Sequence, residues 1–196
     1  MRKADPALHR RRSEEIAAAA ARCFLGRGFH QTSMQDIAAA AGVSMGLLYR
    51  YFASKDAIIE AVAAIDREQT VANFAAIAQA PDAPQALEAL AREQIRAGGK
   101  TAYVALVAEI AAEACRNPAI RALVERDELA LRQALVAALR VQQQAKRIAA
   151  GADLEAVAQI YLAAIDGLAM RLHFDPTLDV DACLAAFRPV LAALRC

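Results

Sequence analysis

Apolar residues recur at three- and four-residue spacing along nearly the whole chain, which predicts a protein built of α-helices. Alanine, a strong helix former, supplies much of the 58% apolar content, and the 8 Gly and 6 Pro fall at apparent joints between helical segments. We therefore predict an all-α fold of nine helices without an internal repeat.

Punctuating residues set the expected ends of the later helices. Ser54 is expected to cap a long helix that reaches about Gln79. The segments expected after it are 84–97, stopped by Gly98-Gly99; 101–116; 118–147; a helix capped by Asp153 that runs to about Phe174; and a last helix that starts at Asp179 or Asp181 and contains Pro189.

A tight turn joins two short helical patterns within residues 37–52. Gly42 suits the left-handed backbone that ends a helix, and Ser44 suits the cap of the second pattern. In that second pattern Leu48 and Phe52 lie four residues apart, so both side chains are expected to point inward. This is the arrangement of a helix-turn-helix, which places the outward face of its second helix in the major groove of DNA.

The charge distribution favours DNA binding over a helical hairpin of purely structural use. No acidic residue occurs between Asp36 and Asp56, and residues 1–55 carry nine Lys/Arg against four Asp/Glu, whereas the rest of the chain is net negative. Such a basic region attracts phosphates, with an affinity that falls as salt rises. The run Arg10–Arg12 is either a solvated helix start or a direct contact to phosphates or the minor groove.

The run from Thr32 to Ile58 resembles the signature of the TetR family of bacterial transcriptional repressors. The resemblance is close over residues 10–60, where an upstream helix ending at Gly26–Phe29 matches the family's first helix, and beyond about residue 65 it is only architectural. It implies a three-helix DNA-binding domain in residues 1–53 and a helical ligand-binding and dimerisation domain in residues 54–196.

The resemblance also implies which residues touch DNA. Met45 and Leu47 stand where polar side chains are frequent in the family, so we expect apolar contact with thymine methyls and a close backbone approach at Gly46. The residues expected at phosphates are Thr32, Ser33, Tyr49, Tyr51 and Lys55, those expected near bases are Met45, Gly46 and Leu47, and Ser44 and Arg50 complete the predicted interface.

The segment 154–172 is apolar nearly all round, and such a helix must be buried on every side. Small residues on one side permit the close approach of a second copy, and a protein that reads one half-site needs a partner to reach the other. The alternative is that this helix is internal core of a monomer. The predicted dimer contacts are Ile160, Ala163, Ala164, Gly167, Phe187 and Leu191.

A ligand cavity is expected among the helices between residues 84 and 174. Glu109 and Glu113 lie four residues apart, and they either favour a cationic or hydroxylated compound or share one solvated helix face. The predicted ligand residues are Tyr103, Val107, Glu109, Ile110, Glu113, Tyr161, Asp166, Met170 and His173.

Several other classes of protein are not supported by the sequence. The four cysteines have no CxxC spacing and the three histidines are scattered, so no metal and no cofactor is expected. No constellation typical of an enzyme, no membrane-spanning stretch and no secretory signal is readable, so a cytoplasmic protein is expected. The prediction is a homodimeric repressor of a palindromic DNA operator, released by a small-molecule inducer; the alternative is a DNA-binding regulator or architectural protein without an effector.

Overall fold

The computed structural model of the chain describes residues 6–100 and 103–192, and every regular element in those ranges is an α-helix. This confirms the predicted all-α fold of nine helices. No helix in the described ranges is long and apolar enough to cross a membrane. The helices are α1 (Pro6–Arg27), α2 (Met34–Ala41), α3 (Met45–Tyr51), α4 (Lys55–Ile77), α5 (Ala83–Lys100), α6 (Tyr103–Ala114), α7 (Pro118–Gln144), α8 (Leu154–Phe174) and α9 (Val180–Ala192).

The chain forms two compact units, each with its own hydrophobic core. Unit 1 comprises the chain up to Glu68 together with residues 105–127, and unit 2 comprises residues 69–104 and the chain from Glu128 onward. Most of α6 and the start of α7 therefore share a core with α1, α2 and α3, although they lie far along the chain. The boundary between residues 53 and 54 that the sequence suggests stays a prediction.

Both cores consist of aliphatic and aromatic side chains at helical spacing. The buried residues of the unit 1 core are Ile16, Ala20, Phe24, Phe29, Ile37, Ala38, Leu48, Phe52, Ile58, Ile59, Leu106, Ile120 and Leu123. The core of unit 2 is larger and includes Phe74, Ile77, Leu87, Leu90, Ile95, Leu135, Leu139, Ile148, Tyr161, Ile165, Leu172, Leu184 and Leu191.

One predicted helix end is wrong, because α5 continues through Gly98-Gly99 to Lys100. A Cβ built on Gly99 would lie 2.5 Å from Cδ2 and 2.8 Å from Cβ of Leu172 in α8. The glycine at this position therefore permits close packing of two helices and does not stop one. By contrast, the caps at Ser54 and Asp153 and the Pro189 inside α9 are confirmed.

The C-terminal end of α4 is closed by the buried side chain of Gln142 from α7. Its amide nitrogen donates to the carbonyls of Ile77, Ala78 and Ala80 at 2.6, 3.0 and 2.9 Å. The last carbonyls of a helix have no partner within the helix, so a buried helix end needs donors from elsewhere. Gln142 supplies them across 65 residues of sequence.

A buried carboxylate links α5 to α9 in unit 2. Glu88 accepts two hydrogen bonds from Arg188, at 2.7 and 2.8 Å, and one from Arg92 at 2.9 Å. Arg92 and Arg96 also bind Asp181, at 2.7 and 2.6 Å. The Arg188 guanidinium, and after it Arg92, lower the pKa of Glu88 from its usual 4.5 to about 2.

This cluster predicts a stability that depends on acid pH. Because the pKa of Glu88 is lower in the folded chain, its contribution is fully present above pH 4.5 and is lost as the pH falls towards 2. We expect Glu88→Gln to lower the free energy of unfolding at neutral pH by about 1 to 2 kcal/mol, a value reduced by the exposure of Arg188. Urea titrations followed by circular dichroism measure the difference.

The control is Glu93→Gln, which changes an exposed residue of α5 that has no hydrogen bond or ion pair among the described residues. The gap between wild type and Glu88→Gln is expected to shrink between pH 4.5 and 2. A gap that stays constant over this range would contradict the assignment.

Candidate nucleic-acid interface

Helices α2 and α3 form a helix-turn-helix whose ends are capped by their own local residues. Gly42 ends α2 in the left-handed region, with φ of 65°, and the N–H of Val43 returns to the carbonyl of Ala38 at 3.0 Å. Ser44 then caps α3 by accepting from the N–H of Leu47 at 3.2 Å. The predicted roles of Gly42 and Ser44 in this turn are therefore confirmed.

The start of α2 carries a reciprocal cap. The hydroxyl of Ser33 accepts from the N–H of Asp36 at 3.1 Å, while the N–H of Ser33 donates to the Asp36 carboxylate at 2.9 Å. The hydroxyl of Ser33 also donates to that carboxylate, and these bonds hold the pKa of Asp36 below its usual value. Arg27 at the end of α1 completes the site with an ion pair to Asp36 at 2.7 Å.

Burial of one side of α3 determines which residues face outward. Leu48 and Phe52 lie in the core of unit 1, as predicted, so Tyr49 and Arg50 between them are exposed. Tyr49 is 53% exposed, and the side chain of Arg50 makes no hydrogen bond or ion pair among the described residues. Exposed tyrosine and arginine side chains on this helix are available to phosphates and bases.

The first turn of α3 presents little side-chain bulk. A Cβ built on Gly46 would meet no atom within 4 Å, so this glycine is not required by packing within the described protein. Met45 is half-buried and packs against the core of unit 1, and Leu47 is half-buried. Tyr51 stacks on His9 of α1, with ring centroids 4.5 Å apart, a contact that the sequence did not suggest.

Thr32 differs from its predicted role as a phosphate contact. The residue is 1% exposed, and its hydroxyl donates to the carbonyls of Gly28 and Cys23, at 2.8 and 3.2 Å. This hydroxyl therefore holds the end of α1 against the loop that follows and does not face solvent. Ser33 next to it is exposed.

Lys55 is also engaged within the protein. Its ammonium donates to the carbonyls of Phe29 and Thr32 at 2.6 and 3.0 Å, approaches that of His30 at 3.5 Å, and lies 4.2 Å from the centre of the Phe29 ring. The ammonium thus fixes the loop between α1 and α2. Its predicted contact with a phosphate stays a prediction.

The three consecutive arginines of the basic segment lie within α1 and are not an extended tail. Arg10 pairs with Glu14 at 2.9 Å and with Glu68 at 2.8 Å, while Arg11 and Arg12 both pair with Glu15, at 3.1 and 2.8 Å. Direct contact with DNA would require these exposed pairs to open, which is inexpensive in water.

Two predicted ligand residues of α6 instead contact the loop between α1 and α2. A carboxylate oxygen of Glu109 accepts from the N–H of Phe29 at 3.1 Å, and one of Glu113 lies 2.7 Å from Nε2 of His30. The expectation that these glutamates line a ligand cavity is not supported by this placement. No local spacing reveals the contact, because Phe29 and Glu109 are 80 residues apart.

The other predicted ligand residues are scattered. Tyr161 is buried and donates to the carbonyl of Leu87 at 2.9 Å, and burial raises the pKa of its hydroxyl. The rest divide between the two units: Val107 and Ile110 belong to unit 1, with Val107 exposed and Ile110 half-buried; Asp166, Met170 and His173 belong to unit 2 and are exposed; and the side chain of Tyr103 lies outside the described residues.

Unit 2 contains a groove of 740 Å³ that the sequence did not suggest. It lies between α5 and α9, and its walls include the Glu88, Arg92 and Arg188 cluster. Its lining is completed by Asp82, Pro84, Gln85, Ala89, Ala185, Pro189 and Leu191.

Helix α8 has two apolar faces, as the sequence predicted. One face is buried in unit 2. The other face exposes Ile160, which is 51% accessible, together with Ala163 and Gly167. Ala164 and Phe187 are half-buried. Leu191 differs from its predicted role in dimer contacts, because it is 3% exposed and belongs to the core of unit 2.

Comparison with known proteins agrees with this arrangement. Residues 16–62 match the family model for bacterial regulatory proteins of the tetR family, and residues 83–195 match the C-terminal model of BetI-type transcriptional repressors. The second match alone extends over more than half of the chain.

Individual relatives point the same way. The regulator UidR of Escherichia coli K12 is 32% identical over 130 residues, which are 66% of this chain and 65% of the relative, so the chain spans just under two thirds of that protein. The repressor AcnR of Corynebacterium jeikeium is 26% identical over 82% of this chain and 81% of its own length.

Among solved structures, GusR of Salmonella enterica superposes with a TM-score of 0.78 at 30% identity, covering 100% of both chains. The superposition includes the helix-turn-helix and the C-terminal helices alike. This chain therefore belongs to the TetR family of bacterial transcriptional regulators, proteins that bind DNA through a helix-turn-helix and are not enzymes.

Proposed function

We propose that the protein is a homodimeric repressor that binds a palindromic operator through α3 and leaves it when a small molecule binds. The observation that carries this proposal is the combination of an outward α3 surface in unit 1 with an exposed apolar face on α8 in unit 2. A repressor of two half-sites needs both surfaces, one for DNA and one for the second copy.

On the DNA side, the proposed base contacts are at the first turn of α3 and the proposed phosphate contacts surround them. Gly46 allows the backbone to approach the groove, and Met45 and Leu47 offer apolar surface to thymine methyls. The phosphate contacts are assigned to Ser33, Tyr49, Tyr51 and Lys55, with Ser44 and Arg50 beside them. For Thr32 only the backbone remains available, since its hydroxyl is turned inward.

On the dimer side, the exposed stripe of α8 is the surface we assign to the partner copy. Ala156, Ile160, Ala163, Gly167 and Met170 follow one another at four- and three-residue spacing and are all exposed. Small residues in such a stripe let two helices approach closely, and exposed apolar stripes in soluble proteins mark interaction sites.

The candidate binding site for the effector lies in the region that matches the BetI-type C-terminal model. The groove between α5 and α9, at 740 Å³, is of the size that small-molecule sites have. Ligand binding would favour one packing of the dimer over another and so change the separation of the two copies of α3, which must face half-sites about 34–36 Å apart.

The second candidate function is a DNA-binding regulator without an effector. It shares the α3 surface and the dimer, so only the response to small molecules separates it from the first. Among the predicted ligand residues of unit 2, Asp166, Met170 and His173 are exposed, and Tyr161 is buried with its hydroxyl already bound to the carbonyl of Leu87. That distribution favours this alternative.

Gly46 tests the docking of α3. Gly46→Ala is expected to raise the melting temperature by a few degrees, because alanine favours a helix interior by about 0.5 to 1 kcal/mol and the space is open. The same variant should bind more weakly to a duplex that the wild-type protein selects from a randomised pool. A more stable protein with unchanged affinity would rule out close approach at this position.

Ile160 tests the dimer. Ile160→Glu places a charge at the centre of the exposed α8 stripe, where a partner helix would leave both copies of the carboxylate desolvated and unpaired. We expect the dimer dissociation constant to rise at least about a hundredfold by analytical ultracentrifugation, with operator binding lost in parallel.

The matched control for this charge is Gln159→Glu, one position earlier on α8, where the side chain faces Arg132 of its own chain. The control is expected to remain a dimer. A monomeric wild type, or an Ile160→Glu variant as dimeric as the control, would contradict the assigned surface.

The effector is tested by thermodynamic linkage. A compound found by thermal-shift screening of a metabolite collection is expected to weaken operator binding by a coupling factor of about 5 to 150, and the selected duplex should weaken binding of the compound by the same factor. Operator affinity that is equal with and without every compound bound by the protein would leave the regulator without an effector as the better description.

A further inference from the structure

The loop from Gly28 to Ser33, which joins α1 to α2, is held by side chains from two other helices of unit 1. From α4, the Lys55 ammonium donates to the carbonyls of Phe29 and Thr32 in the loop. From α6, Glu109 accepts a hydrogen bond from the N–H of Phe29, and Glu113 contacts the imidazole of His30. Backbone groups of Phe29 and Thr32 in this loop thus find their partners in side chains of other helices rather than in a regular element.

We propose that Glu109 and Glu113 are positioning residues for operator binding, which hold the Gly28–Ser33 loop so that α2 and α3 meet DNA in the correct orientation. This inference rests on DNA binding by α3. It gives the two glutamates a task that is distinct from the ligand contact expected of them.

The backbone at the start of the loop is shaped to meet Glu109. Gly28 has φ of 79°, a conformation that side chains rarely adopt, and a Cβ built there would lie 3.4 Å from both carboxylate oxygens of Glu109. The adjacent N–H of Phe29 then donates to Glu109 at 3.1 Å. Phe29 itself is buried in the core of unit 1, where its ring packs edge-on against Phe24 at 5.4 Å. The amide that Glu109 binds therefore belongs to an anchored residue.

Glu113, which makes the second contact, is more deeply buried than Glu109. It is only 7% exposed, and the oxygen that faces His30 accepts no hydrogen bond among the described residues. A buried carboxylate oxygen without a donor is costly. The imidazole of His30, whose Nε2 lies 2.7 Å from this oxygen, is the polar group of the loop that Glu113 faces.

The position of this loop affects the DNA surface because α2 begins directly after it. Ser33, the last residue of the loop, is both the cap of α2 and a proposed phosphate contact. Helix α2 in turn packs on α3 through Ile37 and Ala38 in the same core as Leu48. Displacements of less than 1 Å in the groups that support a binding site are enough to reduce affinity.

The two glutamates also belong to a different part of the sequence from the helices they hold. Residues 83–195 match the C-terminal model of the BetI-type repressors, yet residues 105–127 pack in unit 1 with α1, α2 and α3. The C-terminal part of the chain therefore supplies the side chains that contact the loop leading into the helix-turn-helix.

The experiment compares operator binding of Glu109→Leu, Glu109→Gln and the wild type by fluorescence anisotropy, with the duplex selected by the wild type as the probe. Leucine removes the acceptor for the Phe29 N–H, and we expect affinity to fall about tenfold. Glutamine keeps a carbonyl oxygen at that place and is expected to restore most of the affinity. The dependence on salt should be the same in all three, since neither glutamate touches a phosphate.

The control is Glu125→Ala in α7, which removes an exposed carboxylate of unit 1 that has no hydrogen bond or ion pair among the described residues. It is expected to bind like the wild type. Hydrogen exchange provides a local readout: the amide of Phe29 should exchange faster in Glu109→Leu, while the amides of α3 keep their protection.

Should Glu109→Leu fail to fold, His30→Ala gives the decision, because His30 is exposed and its removal takes away the imidazole that Glu113 contacts. Wild-type affinity in Glu109→Leu or, in its place, in His30→Ala would overturn the inference, and so would equal losses in the leucine and glutamine variants. Failure of the wild type to select any duplex would refute DNA binding itself, an outcome distinct from these.

Discussion

The burial of Leu48 and Phe52 in the core of unit 1 is the contact on which the proposed DNA surface depends. Helix α3 has only seven residues, too few to be stable alone, so its orientation is set by the side that it buries. With Leu48 inside, Tyr49 and Arg50 must face outward, and the first turn with Gly46 is presented at the end capped by Ser44. Any change that loosens this packing therefore displaces the whole outward surface of α3.

The polar groups around this core follow the same requirement of burial. Where the chain leaves helical structure between α1 and α2, its carbonyls and N–H groups lose their helical partners and need donors and acceptors from elsewhere. In unit 1, Lys55 donates to carbonyls of the loop and Glu109 accepts from the N–H of Phe29. Gln142 performs the equivalent task in unit 2, at the end of α4. Two single side chains, Lys55 and Gln142, thus each bind several backbone carbonyls where the chain leaves helical structure.

Helix α8 combines a buried face with an exposed apolar face that we propose for a second copy. Its buried face, with Tyr161 and Ile165, belongs to unit 2, while the face with Ile160 and Gly167 is apolar and exposed. An isolated chain gains nothing from this second apolar face, which is the reason for assigning it to a second copy. The buried position of Leu191 narrows that surface to α8 and the outer side of α9.

Features that depend on nearby residues were determined by the sequence itself. The helical period predicted an all-α fold of nine helices, and the caps at Ser44, Ser54 and Asp153 and the turn at Gly42 follow from side-chain chemistry within a few positions. The outward face of α3 was predictable for the same reason, since the spacing of Leu48 and Phe52 identifies the inner face.

Features that depend on distant residues were decided only by the tertiary structure. Spacing showed that Glu109 and Glu113 share a helix face but not that this face meets a loop some 80 residues earlier. Gly98-Gly99 has the composition of a helix stop, and only the approach of Leu172 reveals it as a packing position. Thr32 and Lys55 have the chemistry of phosphate contacts, yet in the fold the Thr32 hydroxyl and the Lys55 ammonium also donate to carbonyls of the loop between α1 and α2. Local chemistry states what a side chain can bind, whereas the fold decides which partner comes within reach.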